Sequence, residues 1–316
     1  MQLSVKMNLQ RYGTIIALLV LVVFFSLASG SFIEPRNLLD ILAHISMLTI
    51  IATGLTVCMV TGDFDMSIAS VASLSGVLLA SFVLKGFPLG IALLIVVLAG
   101  AVFGLVGGIL ITKVKVSAFI ATLALGSIAT GINFMYTRGQ EVFGEFKPDF
   151  LFLGQGKVFG VVPTQVVLMA CVVALFAFVM EKTKTGRWMY AIGGSIRSAY
   201  HSGIRVNLYR VVGLVLSGAL AAFTGCVLAS RLGSGQPTAG DAFLMDAIAA
   251  AYIGMTTVKV SRPNIIGTLI GALIMGVIDN GLVLMGVSYF FQYIAKGAII
   301  ILAVALTSRG SAVVER

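Results

Sequence analysis

The chain has 316 residues, of which 59% are hydrophobic and 10% charged, with a mean hydropathy of +1.08. A soluble domain carries about a quarter charged residues, so the composition excludes a soluble enzyme and points to an all-α, polytopic integral membrane protein. The net charge of +9 does not indicate nucleic acid, because the basic residues are scattered between apolar runs, where they set orientation in a bilayer.

Crossing the hydrocarbon core takes about 20 apolar residues in a helix. Hydropathy predicts about ten transmembrane helices, at roughly 13–30, 40–61, 67–84, 88–111, 117–136, 161–180, 210–230, 243–255, 264–284 and 289–306. The first follows Lys6 and Arg11 and ends in "SLASG", as a secretory signal would; a retained helix is expected because many spans follow. The run at 243–255 is short for a full crossing and suits a re-entrant or broken helix lining a cavity.

Of the 21 Lys and Arg residues, fourteen fall on the side of the N-terminus and six on the other, with Lys296 inside a span. That bias predicts cytoplasmic N- and C-termini. The chain reads as a single transmembrane domain, 1–316, with two long connections. The outer one, about 137–160, mixes three basic with three acidic residues, as a folded cap would. In the inner one, about 181–209, the Gly193-Gly194 pair is expected to break the chain, and Ser195 to Tyr200 to form a short helix at the membrane face. Such a helix either holds anionic lipid headgroups or docks a cytoplasmic partner.

An ionisable residue inside a span needs a partner, water or a function. The candidates are Asp63, Asp65, Asp246, Asp279 and Lys296. Asp63 and Asp65 precede Ser67, where the third span begins; Asp and Ser there either cap the helix or form a polar turn facing a water-filled path. Asp279 and Asn280 lie in the ninth span and Lys296 in the tenth, so Lys296 is expected to pair with Asp279 or to snorkel. Asp246 lies by Ala249 and Ala250, on a small-residue face suited to close helix contact. Tyr289, Phe290, Phe291 and Gln292 suit either a pore lining or helix packing at the interface. Cys58, Cys171 and Cys226 sit singly in apolar runs, and His44 and His201 are isolated, so no metal site, disulfide framework or catalytic residue is expected. The sequence contains neither a G-x-x-x-x-G-K-[ST] phosphate loop nor an H-E-x-x-H motif.

Six stretches, "GDFDMSIAS", "SAFIATLAL", "TKTGRWMYAIGG", "ASRLGSGQPTAG", "MDAIAA" and the run from "IIGTLIGALIMGVIDN" to "YIAKGAIIILAV", occur in register with one family. Together, from about residue 40 to 307, they resemble the membrane permease subunit of bacterial ABC importers for monosaccharides such as ribose, arabinose or xylose. The resemblance implies a multi-pass protein of the bacterial inner membrane with no bound cofactor. It implies two permease chains forming the path, a cytoplasmic ATP-binding-cassette ATPase that uses ATP and Mg, and a periplasmic sugar-binding protein. On it, Asp65 and Ser67 fall at the family's bend after the second span, and Gly193, Gly194, Ser195, Arg197, Ser202, Gly203 and Ile204 lie in the ATPase-coupling stretch.

Two stretches depart from the family pattern. The coupling element reads "GGSIRSAYHSGI", with Ile196 and Arg197 in place of an acidic-alanine core, and a glycine-rich inner segment has become "GMTTVKVSRPN", keeping Gly254 and Thr256. They leave a homodimer and a heterodimer with a related permease both open. Asp63 is expected to be the more exposed acid of the bend, with Asp65 and Ser67 capping the third span. Alternative functions are a permease of the same architecture for a nucleoside, amino acid or furanose-like signal, and a secondary transporter working without ATP.

Overall fold

The computed structural model describes residues 2–257 and 262–314, with side chains for 14–257 and 262–304. A helix occupies each of the ten apolar runs: α1 (Gln2–Ala28), α2 (Pro35–Val60), α3 (Ile68–Leu84), α4 (Leu89–Ile109) and α5 (Ala118–Thr137) come first. A short helix α6 (Pro148–Gln155) and a two-residue hairpin, β1 (Lys157–Val158) with β2 (Val162–Pro163), then lead to α7 (Thr164–Lys182). Two connecting helices, α8 (Lys184–Gly194) and α9 (Ile196–His201), precede α10 (Val206–Leu232), α11 (Ala242–Gly254), α12 (Ile265–Leu284) and α13 (Tyr289–Val314). Among the described residues, six helices are long and apolar enough to cross a membrane: α2, α4 with the π-helical turn Leu110–Val114 that ends it, α5, α7, α10 and α12. The described parts of α1, α3, α11 and α13 supply shorter apolar helices.

The centre of the bundle is α10, packed against α2, α3 and α4. Lipid tails are as apolar as leucine, so helices in a bilayer associate through close packing of small residues. In α4, Gly100, Gly104 and Gly108 fall on one stripe, four residues apart, and face Gly218, Leu214 and Val211 of α10. On another side of α10, Gly225 meets the backbone of Ala72 and Gly76 meets Gly225. The hairpin of α11 and α12 repeats the device, with Gly254 against Gly267 and Gly271 against Ala250. A Cβ at Gly104 would collide with the Leu214 carbonyl, so these glycines set the helix separation.

Two irregular stretches lie deep in the bundle. The first, 61–67, joins α2 to α3, and Gly126 of α5 backs onto Ser67 and Ser70 at its end. Gly126 is eight residues into α5, about 12 Å along its axis at 1.5 Å per residue. The second, 233–241, runs from α10 to α11, where the Gly240 amide donates to Ser73 Oγ at 2.9 Å and Asn133 Nδ2 donates to the Pro237 carbonyl at 2.9 Å. With 13 residues, α11 is about 20 Å long against a hydrocarbon core of about 30 Å, so the expected short eighth element is a helix too short for a full crossing, entered from irregular backbone.

Between α5 and α7, Phe150 of α6 is fully buried against Leu79, Ala80, Cys226 and Ala229, and Phe146 stacks on it at 4.3 Å between centroids. Val142 bridges to Gly235, joining this segment to the irregular entry into α11.

Candidate functional site

The bend after α2 begins where Gly62 takes φ +85°, a left-handed conformation open to glycine. Asp65 Oδ1 accepts from the Ser67 amide at 2.9 Å and from Ser67 Oγ at 2.6 Å. Ser67 flanks α3 but its hydroxyl caps no helix amide; it donates back to Asp65. The expected double cap is therefore a carboxylate-closed turn, with Asp65 as its acceptor.

Both acids of the bend are buried: Asp63, expected to be the more exposed of the two, is 3% exposed against 1% for Asp65. Arg210, four residues into α10, donates from Nε to Asp63 Oδ2 at 2.9 Å and from Nη2 to Oδ1 at 2.6 Å. The two-pronged geometry fits guanidinium to carboxylate, and a buried acid without such a cation would stand uncompensated. On its other side the bend is held by α5, through the Met66 amide donating to Thr122 Oγ1 at 3.0 Å. Sequence reasoning missed this partnership: it counted Arg210, the first residue of the span at 210–230, only among the cytoplasmic basic residues.

The segment expected to break at Gly193-Gly194 remains helical through both glycines, and the break falls at extended Ser195 (φ −162°, ψ 111°). Gly193 is small for a packing reason: a Cβ there would run into the Val60 carbonyl, so its absence lets α8 seat on the end of α2. Thr183 Oγ1 accepts from the Gly186 amide at the start of α8, and Ser195 Oγ from the Ser198 amide at the start of α9. Gly203, at φ +77°, turns the chain after Ser202, and the Ile204 amide donates back to the Ala199 carbonyl, closing α9 against the entry to α10. Arg197 is exposed on α9.

At the other end of this contact, Gly213 of α10 lies in van der Waals reach of Thr61 and Met189. The Tyr190 hydroxyl donates to the Pro263 carbonyl at 3.0 Å, tying α8 to the entry of α12. Burial, with help from the Glu181 carboxylate, pushes the Tyr190 phenol up to about 12, so it stays a donor at neutral pH. In the departing inner segment, Gly254 packs on Gly267, and the hydroxyls of Thr256 and Thr14 pair at 3.0 Å; residues 258–261 lie outside the described residues.

The second charged centre joins three helices. Lys296 Nζ lies 2.9 Å from Asp246 Oδ2 and 3.1 Å from Asp279 Oδ2. The anticipated Lys296–Asp279 pair is present, and Asp246, expected only on a packing face, completes a triad that fastens α13 to the α11–α12 hairpin. Beside it, Asn280 and Asn37 exchange side-chain amide bonds at 2.8 and 3.0 Å, linking α12 to α2. Gln292 Nε2 donates to the Val287 carbonyl at 2.8 Å, so its amide closes the α12–α13 turn. Tyr289, Phe290 and Phe291 are all more than half exposed. His44 is tilted against Phe243 at 5.9 Å, and no group of three His, Cys, Asp or Glu able to hold a metal occurs among the described residues.

These two centres fix helices to one another, and neither presents a nucleophile with a base. Residues 37–304 match the family model described as the permease component of the branched-chain amino acid transport system. The chain belongs to this permease family. It is 39% identical to the ribose import permease protein of Bacillus subtilis over 305 residues, covering 96% of this chain and 94% of that one. It is 38% identical to the ribose import permease protein of Escherichia coli K12, with 96% and 95% covered, and 33% identical to the D-allose transport system permease protein of the same organism, with 94% and 91% covered. The permease is thus a multi-pass membrane subunit of an ABC importer and not an enzyme. The matched region runs from the start of α2 to within α13 and so includes both charged centres and the α8–α9 connection.

Proposed function

We propose that this permease forms the translocation path for a monosaccharide, with a pentose such as ribose as the foremost substrate. The observation that carries this is the match to ribose import permeases over nearly the whole length of both chains. Ten spans with cytoplasmic N- and C-termini place α8 and α9 on the cytoplasmic face of the bacterial inner membrane. There an ATP-binding-cassette ATPase, which uses ATP and Mg, docks on the stretch from Gly193 to Ile204. A periplasmic sugar-binding protein delivers the substrate at the opposite face, and a second permease chain, identical or related, closes the path.

The geometry supports a specific route for the force. A push on α9 reaches α8 and the start of α10; Gly193 seats α8 on α2, and Arg210 grips Asp63 of the bend. A displacement of the inner helices is thereby carried to α3 through a two-pronged ion pair. The triad of Asp246, Asp279 and Lys296 keeps α11, α12 and α13 together while this happens.

The test is uptake of labelled ribose, arabinose, xylose and galactose into vesicles containing the permease with its ATPase and binding protein. Uptake of one sugar that disappears when the ATPase is omitted is the expected result. Uptake that persists without ATPase and follows a proton gradient would overturn it.

A further inference from the structure

Non-helical backbone at membrane depth persists where it is buried in protein or lines a wet cavity. The bend after α2 is such a stretch, and it borders a groove. A cavity of about 340 Å³ opens between α3, α5 and the start of α11, and its lining includes Met66 from the bend and Leu244 from the first turn of α11. Its polar side chains are three hydroxyls, those of Ser70, Ser127 and Thr130, and its lining residues include no charged group.

Thr130 Oγ1 donates to Ser70 Oγ at 3.1 Å and Ser127 Oγ donates to the Leu123 carbonyl at 3.2 Å. Both donors keep lone pairs that accept, and Ser70 keeps a proton to give. Gly126, beside Ser127, also lines the groove and faces Ser67 and Ser70. Ser127 lies about 14 Å and Thr130 about 18 Å along α5 from its first residue, near the middle of the span. The groove therefore offers neutral donors and acceptors beside apolar surface at mid-depth.

We propose that this α3–α5–α11 groove is a wet, mid-membrane contact site for the transported solute, and that Ser70, Ser127 and Thr130 select an uncharged polyhydroxylated molecule there. The assignment rests on the importer function proposed above. Hydroxyls suit the task because they exchange hydrogen bonds with a sugar at little cost and hold it weakly, as a path requires; a charged lining would retain ions. The bend that supplies Met66 is the one gripped by Arg210, so displacement of α9 and α10 also reshapes the groove.

Water access is testable without transport. In a background carrying Cys171→Ala, Cys58 and Cys226 are buried and unreactive. Ser127→Cys and Thr130→Cys are placed in the complete complex in vesicles and exposed to a charged, water-borne methanethiosulfonate, with Leu98→Cys on the exposed face of α4 as the dry comparison. The expected result is modification of both groove positions, slowed by ribose in the presence of ATP, while Leu98→Cys stays unmodified. Groove positions as inert as Leu98→Cys, as for a surface filled by lipid tails, would overturn the proposal.

In uptake assays Thr130→Val is expected to raise KM by roughly three- to tenfold, the loss of about one hydrogen bond. An unchanged KM in Thr130→Val and Ser127→Ala alike would also overturn it. Should no sugar be taken up while the groove still labels, the wet site stands and the substrate class proposed above fails.

Discussion

Asp63 and Arg210, 147 positions apart in the chain, meet as a two-pronged ion pair at the foot of α10, the carboxylate buried and the guanidinium partly so. The pair joins the bend after α2 to the helix that follows α9.

Breaking one side of this pair should be worse than removing both. Arg210→Met leaves the Asp63 carboxylate buried without a cation, which costs about 3 kcal/mol, and should lower the melting temperature in detergent. The double variant Asp63→Ser/Arg210→Met should regain part of that stability yet remain poor in uptake, because the grip is gone. Arg210→Lys keeps the charge but not the fork, and should lie between the wild type and Arg210→Met. Equal melting temperatures for all three variants would show that the pair does not hold the bend.

At Asp65 the shape of the acceptor matters more than its charge. Asp65→Asn keeps an oxygen for the Ser67 amide and hydroxyl and should retain nearly full uptake, whereas Asp65→Ala should cost about 1–2 kcal/mol. Uptake abolished by Asp65→Asn in a folded protein would place the charge itself in the mechanism.

The neighbouring glycines of α8 should differ sharply. A Cβ at Gly193 meets the Val60 carbonyl, while one at Gly194 meets nothing within 4 Å. Gly193→Ala should uncouple the complex, with ATP hydrolysis continuing and uptake lost, and Gly194→Ala should behave as wild type in both assays. Similar phenotypes for the two would separate coupling from this contact.

The triad sets a similar order for α13. Lys296→Met strands two carboxylates and should be the most damaging single change, whereas Asp246→Asn leaves Lys296 with Asp279 and should be milder. Lys296→Met combined with Asp246→Asn and Asp279→Asn should recover part of the loss. Size-exclusion profiles and melting temperatures of the purified complexes provide the comparison.

Tyr190→Phe removes the hydroxyl that holds the Pro263 carbonyl and should lower stability by about 1 kcal/mol. Because burial keeps the phenol protonated to about pH 12 in the folded protein, against about 10 for a free tyrosine, the stabilisation it gives is fully present below pH 10 and is lost as pH rises toward 12. The difference in melting temperature between wild type and Tyr190→Phe should therefore be constant from pH 6 to pH 9.

Hydropathy located the helices because crossing a bilayer is a property of each segment's own composition: every apolar run became a helix, and the short run at 243–255 became the short α11. The six motifs in register identified the permease family for the same reason, since they are strings along the chain. The Lys296–Asp279 pair was legible because α12 and α13 are joined by a short turn, which makes them neighbours. Arg210 with Asp63, Asp246 with Lys296 and Gly193 with Val60 were decided only by tertiary structure. These partners lie far apart in sequence, and their meeting depends on which glycine stripes allow which helices to approach. A local pattern fixes the period and length of a helix, but the cation that neutralises a buried acid is chosen by packing in three dimensions.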